Sequence, residues 1–219
     1  MSKNESLDRL FDDWRKHYAN FGISVKDFSA DGIIDEPSYD VAKKKVLFVL
    51  RETNSFPEGD LRTQLNKGPK WQLFHQVAKW AWGILNEFDD FEKINSSPIE
   101  MITAIKSIAT MNVKKYTGRS VTDFSLLHAF VYLDKSFIAK EIEIIKPDII
   151  LCCNTFIELM WALDLKEVKQ SLSNPKTAFE KYYSYTNSRV IPWKHHPADR
   201  RQHRKNYNDL KQLFKDIKL

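Results

Sequence analysis

Cysteine is scarce in this 219-residue chain: Cys152 and Cys153 are the only two, and they are neighbours within an apolar run. Adjacent side chains on a strand point to opposite faces, which disfavours a bond between them. A zinc or iron–sulfur centre held by one chain needs more ligands than these two supply, so neither metal nor cofactor is expected. Both are read as buried thiols in a reducing, cytoplasmic setting. Long apolar runs are missing too. No stretch approaches the roughly 20 residues of a membrane span, and the polar start from Met1 to Glu5 carries no signal-peptide pattern. Internal repeats, low-complexity tracts and linkers are absent. With 42% hydrophobic and 29% charged residues the chain is not disordered. The expectation is one domain over residues 1–219, acting as a monomer. The excess of basic residues is mild, +5 net with a pI near 9.0, which permits a polyanionic partner without establishing one.

Leu7, Leu10, Phe11, Trp14 and Tyr18 recur at helical spacing, with Ser6 as the expected N-cap. Val46-Leu47-Phe48-Val49-Leu50 is a continuous apolar run of strand length, as suits a strand covered on both faces. The polar segment from Arg51 to Lys70 reads as a long loop. Helices follow at Phe74–Leu85 and after Ser97-Pro98. Ser107–Val113 reads as a second strand. A helix marked by Ile138, Ile142 and Ile145 ends before Pro147, and Asp148–Cys152 reads as a third strand. Then come a helix from Phe156 to Leu163, a fourth strand Arg189–Trp193, and a last helix carrying Tyr207, Leu210, Leu213, Phe214 and Ile217. Strands alternating with helices predict an α/β fold: a three-layer α/β/α sandwich on a mostly parallel, four-stranded sheet. In such sheets, ligands bind beyond the carboxyl ends of the strands.

The segments there are Arg51-Glu52-Thr53-Asn54, Asn112-Val113-Lys114-Lys115, Asn154-Thr155 and His195-His196-Pro197. They would bring a carboxylate, an amide and an imidazole to one sheet edge. Each residue has a plain structural alternative: a salt bridge of Glu52 with Arg51 or Lys114, a turn amide at Asn112, and a helix entry at His196-Pro197.

The order of these segments, with Thr110-Met111-Asn112-Val113-Lys114-Lys115, Lys146-Pro147-Asp148-Ile149-Ile150 and His196-Pro197-Ala198, resembles the uracil-DNA glycosylase superfamily over residues 44 to 214. The chain looks like a divergent member without an iron–sulfur cluster. Arg51 stands where that family has Gly, Asn54 where it has Pro, and Ala198 where it has Ser; Thr53 takes a position that is Asp or Asn. These departures weigh against uracil as the base more than against the fold.

The resemblance implies hydrolysis of an N-glycosidic bond in DNA, at uracil or another modified or damaged base. Glu52 would orient water or stabilise the cationic sugar. His196, or its neighbour His195, would donate to the departing base. Asn112 would read the edge of the flipped base, with Asn54 and Thr53 beside it and Phe56 or Trp71 stacking on it. Arg200, Arg201 and Arg204, together with Lys114 and Lys115, would meet DNA phosphates. Arg200, Arg201, His203, Arg204 and Lys205 open the last helix, where the helix dipole disfavours cations and an external anion would complete the site. The competing readings are a non-catalytic nucleic-acid-binding module and a hydrolase of free nucleosides or nucleotides.

Overall fold

The computed structural model describes residues 1–56, 59–168, 182–199 and 202–217. The strands are β1 (Gly32–Ile33), β2 (Val46–Leu50), β3 (Ala109–Asn112), β4 (Ile149–Cys153), β5 (Lys166–Glu167), β6 (Tyr183–Tyr185) and β7 (Ser188–Trp193). They form one mixed sheet in the order β1-β3-β2-β4-β7-β6-β5. The four expected strands are its middle: β3, β2, β4 and β7 run parallel. The expectation of a four-stranded sheet is corrected to seven strands among the described residues, because β1 pairs antiparallel on β3 and β6 and β5 add antiparallel beyond β7.

Every residue of β2 and β4 is buried. Helices cover both faces, so the alternating side chains enter two separate cores. Val46, Phe48, Leu50, Ile149, Leu151, Cys153, Ile191 and Trp193 pack against α4 (Gln72–Leu85), α6 (Pro98–Lys106) and α9 (His203–Asp216), with α3 (Leu61–Leu65) and α5 (Phe91–Ser96) beside them. Leu47, Val49, Ile150, Cys152 and Val190 pack against α1 (Lys3–Asn20), α7 (Phe124–Ile145) and α8 (Phe156–Ala162). Cys152 and Cys153 thus enter different cores, as strand geometry requires. Each fully buried aliphatic or aromatic side chain contributes about 1.5–3 kcal/mol relative to exposure, which makes these two cores the main support of the sandwich. Among the described residues no helix is long and apolar enough to cross a membrane.

The first helix begins a turn earlier than expected. Its N-cap is Ser2, not Ser6, in a reciprocal capping box with Glu5. It docks on α7 through Asp134, which accepts from Trp14 Nε1 at 2.8 Å and from Tyr18 Oη at 2.6 Å. A short helix, α3, capped by Asp60, occupies part of the stretch expected to be loop, and another, α2 (Glu36–Val41), capped by Asp35, precedes β2. Lys146 ends α7 in the left-handed region at φ 52°, and Pro147 follows it.

Candidate functional site at the carboxyl edge of the sheet

The chain leaves β2 for β3 on one side and comes back through β4 on the other. This reversal opens a crevice at the carboxyl ends of β2 and β4. The backbone past the strands stays tied together there. Lys114 N–H donates to Arg51 O at 3.0 Å, Asn154 N–H to Trp193 O at 2.7 Å, and Thr155 Oγ1 to Val49 O at 2.9 Å.

A cleft of about 960 Å³ lies on the β2–β3 side, walled by Glu52, Ser55, Lys114 and residues 116–123. Glu52 and Lys114 form an ion pair in it, with 5% and 2% of their side chains exposed. Lys114 Nζ also faces the rings of Tyr116 and Phe130, at 5.8 and 5.5 Å from their centroids. The segment after β3 folds back over this pair: Gly118 N–H donates to Thr53 O at 2.7 Å, and Phe56 N–H donates to Thr117 Oγ1 at 3.0 Å. Gly118 is needed there, since a Cβ at that position would stand 2.3 Å from the Glu52 carboxyl carbon.

His196 follows β7 at the same edge. Its Nδ1 accepts the Ala198 N–H at 3.2 Å, which leaves the proton of the neutral ring on Nε2. Burial, with Arg51 nearby, pushes its pKa down to about 4. His195 is distinguished from it: its ring lies against Trp193, 4.7 Å between centroids, and its Nε2 is buried without a partner. Between β2 and α8, Arg51 lies over the Phe124 ring at 4.8 Å, and His128 Nε2 lies 3.4 Å from Glu158 Oε1.

The remaining expected site residues divide. Asn54 is exposed and pairs with Gly118 in an isolated bridge, while Thr53 is buried at the rim. Asn112 is buried; its backbone N–H and its Nδ2 both donate to Asp31 Oδ2, at 2.6 and 3.0 Å. The assignment of Lys115 to a DNA phosphate is corrected: it is fully buried between Asp31 and Glu141 and cannot meet a ligand at the surface. Burial holds the Glu141 carboxyl well above its usual range, against the pull of the Lys115 ammonium. Lys114 is likewise withdrawn from the surface and committed to Glu52. Phe56 and Trp71 meet edge to face at 5.6 Å and pack against the core that includes α4; neither lines the cleft.

Arg200 and Arg201 lie outside the described residues. The cations that follow them have carboxylate partners: Arg204 pairs with Glu92 of α5, and Lys205 with Asp209 at 2.7 Å. Glu92 lies 112 positions away in the sequence, so the last helix alone gives no sign of it.

Tyr116, Thr117 and Gly118 also escaped sequence reasoning. Tyr116 lines the cleft and stacks on Phe130, 5.4 Å between centroids. The available signal was its place directly after Lys114-Lys115, in the continuation of a strand toward the carboxyl edge. No group of three or more His, Cys, Asp or Glu side chains among the described residues could hold a metal ion. No protein-family model, curated protein or solved structure matches the chain.

Proposed function

We propose that the protein is a DNA base-excision glycosylase, hydrolysing the N-glycosidic bond of a flipped uracil or other modified base. The observation that carries this reading is the placement of a buried carboxylate, Glu52, and an imidazole held neutral by burial, His196, past strands β2 and β7 at one sheet edge. The bond breaks with positive charge growing on the sugar and negative charge growing on the base. Glu52 serves the first demand. Lys114 holds its carboxylate, with the Gly118 backbone passing close beside it, and that carboxylate orients the attacking water and faces the cationic sugar. His196 serves the second, donating from Nε2 to the base oxygen as charge develops. A donor so placed contributes about 3 kcal/mol in a site shielded from water. The bound water gives its hydroxyl to the anomeric carbon and its proton to solvent through Glu52, and the base leaves with the pair of electrons of the broken bond.

The inward turn of Asn112 favours a second reading, a nucleic-acid-binding module without base release. Its Nδ2 is committed to Asp31, which leaves less of the amide to read a base. One experiment separates the two: incubation of the protein with oligonucleotides containing uracil, hypoxanthine, or hydroxymethylated and glucosylated cytosine. Abasic sites that form with wild type and not with Glu52→Gln support the glycosylase. Salt-sensitive binding without abasic sites on any substrate supports the module.

A further inference from the structure

The position that departs most from the resembled motif, Arg51, holds a cation with nothing to satisfy it. Among the described residues its side chain makes no ion pair and no hydrogen bond, and its Nε is buried without a partner. Two acids act on it through space, Glu158 and Glu52. Both are already engaged at short range, Glu158 by His128 and Glu52 by Lys114. The Phe124 ring at 4.8 Å carries one face of the guanidinium, which limits its swing. The backbone of Arg51 is itself held, since its carbonyl accepts from Lys114 N–H at 3.0 Å. What results is a pre-positioned planar fork of donors at the switch crevice, with a neutral N–H donor, His196, close enough to feel its charge.

We propose that Arg51 is the oxyanion-binding residue of this crevice and takes the phosphate group of a nucleotide. A guanidinium matches phosphate with two parallel hydrogen bonds, whereas an ammonium offers only a point charge. The cleft of about 960 Å³ walled by the next residue, Glu52, and by Asp123, the neighbour of Phe124, is ample for the nucleoside attached to that phosphate. The phosphate has two sources, the backbone of a strand or the terminal group of a free nucleotide. The proposal deepens the glycosylase reading and rests on its nucleic-acid part, though not on base release.

The test is binding by the full chain of thymidine, thymidine 5′-monophosphate and a short thymidine oligonucleotide, across a salt series, for wild type, Arg51→Gln and Arg51→Lys. Wild type is expected to prefer a phosphate-bearing ligand over thymidine by about tenfold, the usual scale for a charged hydrogen-bonded pair. Arg51→Gln loses that preference, and Arg51→Lys recovers only part of it. For the oligonucleotide, Arg51→Gln also lowers the slope of log K against log salt by about 0.7, the share of one phosphate contact. An effect on the mononucleotide alone identifies a free nucleotide as the source, and an effect on the oligonucleotide alone identifies the strand backbone; either supports the proposal. A phosphate preference and salt slope unchanged in a folded Arg51→Gln overturn it, as does the absence of binding by wild type to all three ligands. Because Arg51 makes no side-chain hydrogen bond or ion pair among the described residues, and only the ring contact with Phe124, the variant should melt within a few degrees of wild type, which checks its folding. Failure to release bases from any oligonucleotide defeats the glycosylase reading and leaves this result standing.

Discussion

Glu52 and Lys114 neutralise one another almost out of reach of water, one just past β2 and the other just past β3. Removing one partner of such a pair strands the other charge, at a cost of about 3–5 kcal/mol. Glu52→Gln should therefore lose a large part of the folding stability as well as base release. The double variant Glu52→Gln, Lys114→Met should recover most of the stability and none of the base release. Urea denaturation of the four proteins of this cycle measures the first, and abasic-site formation the second. Full additivity of the two single changes in stability would refute the coupling.

Gly118 offers a milder way to disturb the same carboxylate. A methyl group there meets the Glu52 carboxyl carbon at 2.3 Å, and Lys114 keeps the carboxylate from yielding freely. Gly118→Ala should reduce base release by about 100-fold, the scale of a displacement near 1 Å. Stability should fall by only about 1–2 kcal/mol, in the usual range for overpacking. Single-turnover assays set beside thermal melts distinguish this outcome from general unfolding.

The pH dependence of stability contains two opposed contributions. His196 titrates near pH 4 in the folded protein and near its ordinary value of 6.5 in the unfolded chain. Its contribution is complete above pH 6.5 and is lost as pH falls toward 4, amounting to about 2–3 kcal/mol. His196→Gln should flatten the acid limb of a stability–pH curve across that window.

Asp134 acts in the other direction. Burial raises its pKa to about 7, against the lowering effect of Tyr18 and Trp14. Its contribution is complete below the usual carboxyl value of 3.8 and is lost as pH rises through 7. Asp134→Asn should remove that decline, so that thermal melts of the variant between pH 5 and pH 8 keep only the gain with rising pH that His196 supplies. A decline as steep as that of wild type would assign it to another group.

Lys115 and Arg204 test the contrast between buried and exposed charge. Lys115→Met leaves Asp31 and Glu141 facing each other without a cation and should cost about 3–5 kcal/mol. Arg204→Ala removes an exposed pair with Glu92 and should cost less than about 1 kcal/mol. Urea midpoints of the two variants settle the order.

The sequence shows most clearly what repeats along it. The unbroken apolar runs of β2 and β4 and the helical spacing in α1 and α9 marked the parallel centre of the sheet and its covering. The edges were harder to see. Gly32–Ile33 and Lys166–Glu167 are only two residues long, and no period can be read from so short a segment. Tyr183-Ser184-Tyr185, ahead of a turn at Thr186-Asn187, had the alternation of a half-covered strand that sequence reasoning passed over. Within the site, the carboxyl-edge positions of Glu52, Lys114 and His196 follow from strand ends, and Lys114 was one of the two salt-bridge partners considered for Glu52. The burial of Lys115 depended on Asp31 and Glu141, which arrive from distant parts of the chain, and adjacent lysines look alike in one dimension. The partner of Arg204 was hidden for the same reason.

The two borders of the sheet have a bearing on how the protein survives at high concentration. A parallel strand at a border leaves a row of backbone donors and acceptors open to a neighbouring chain, the starting point of ordered aggregates. Among the described residues, β1 and β5 stand at the two ends of the sheet as antiparallel strands of two residues each. A border that short gives an incoming chain too few rungs to dock on, and β5 adds charge at Lys166 and Glu167. Both borders lie away from Glu52, Lys114 and His196, so a change that lengthened or neutralised either one should favour strand-to-strand association while leaving those carboxyl-edge groups in place.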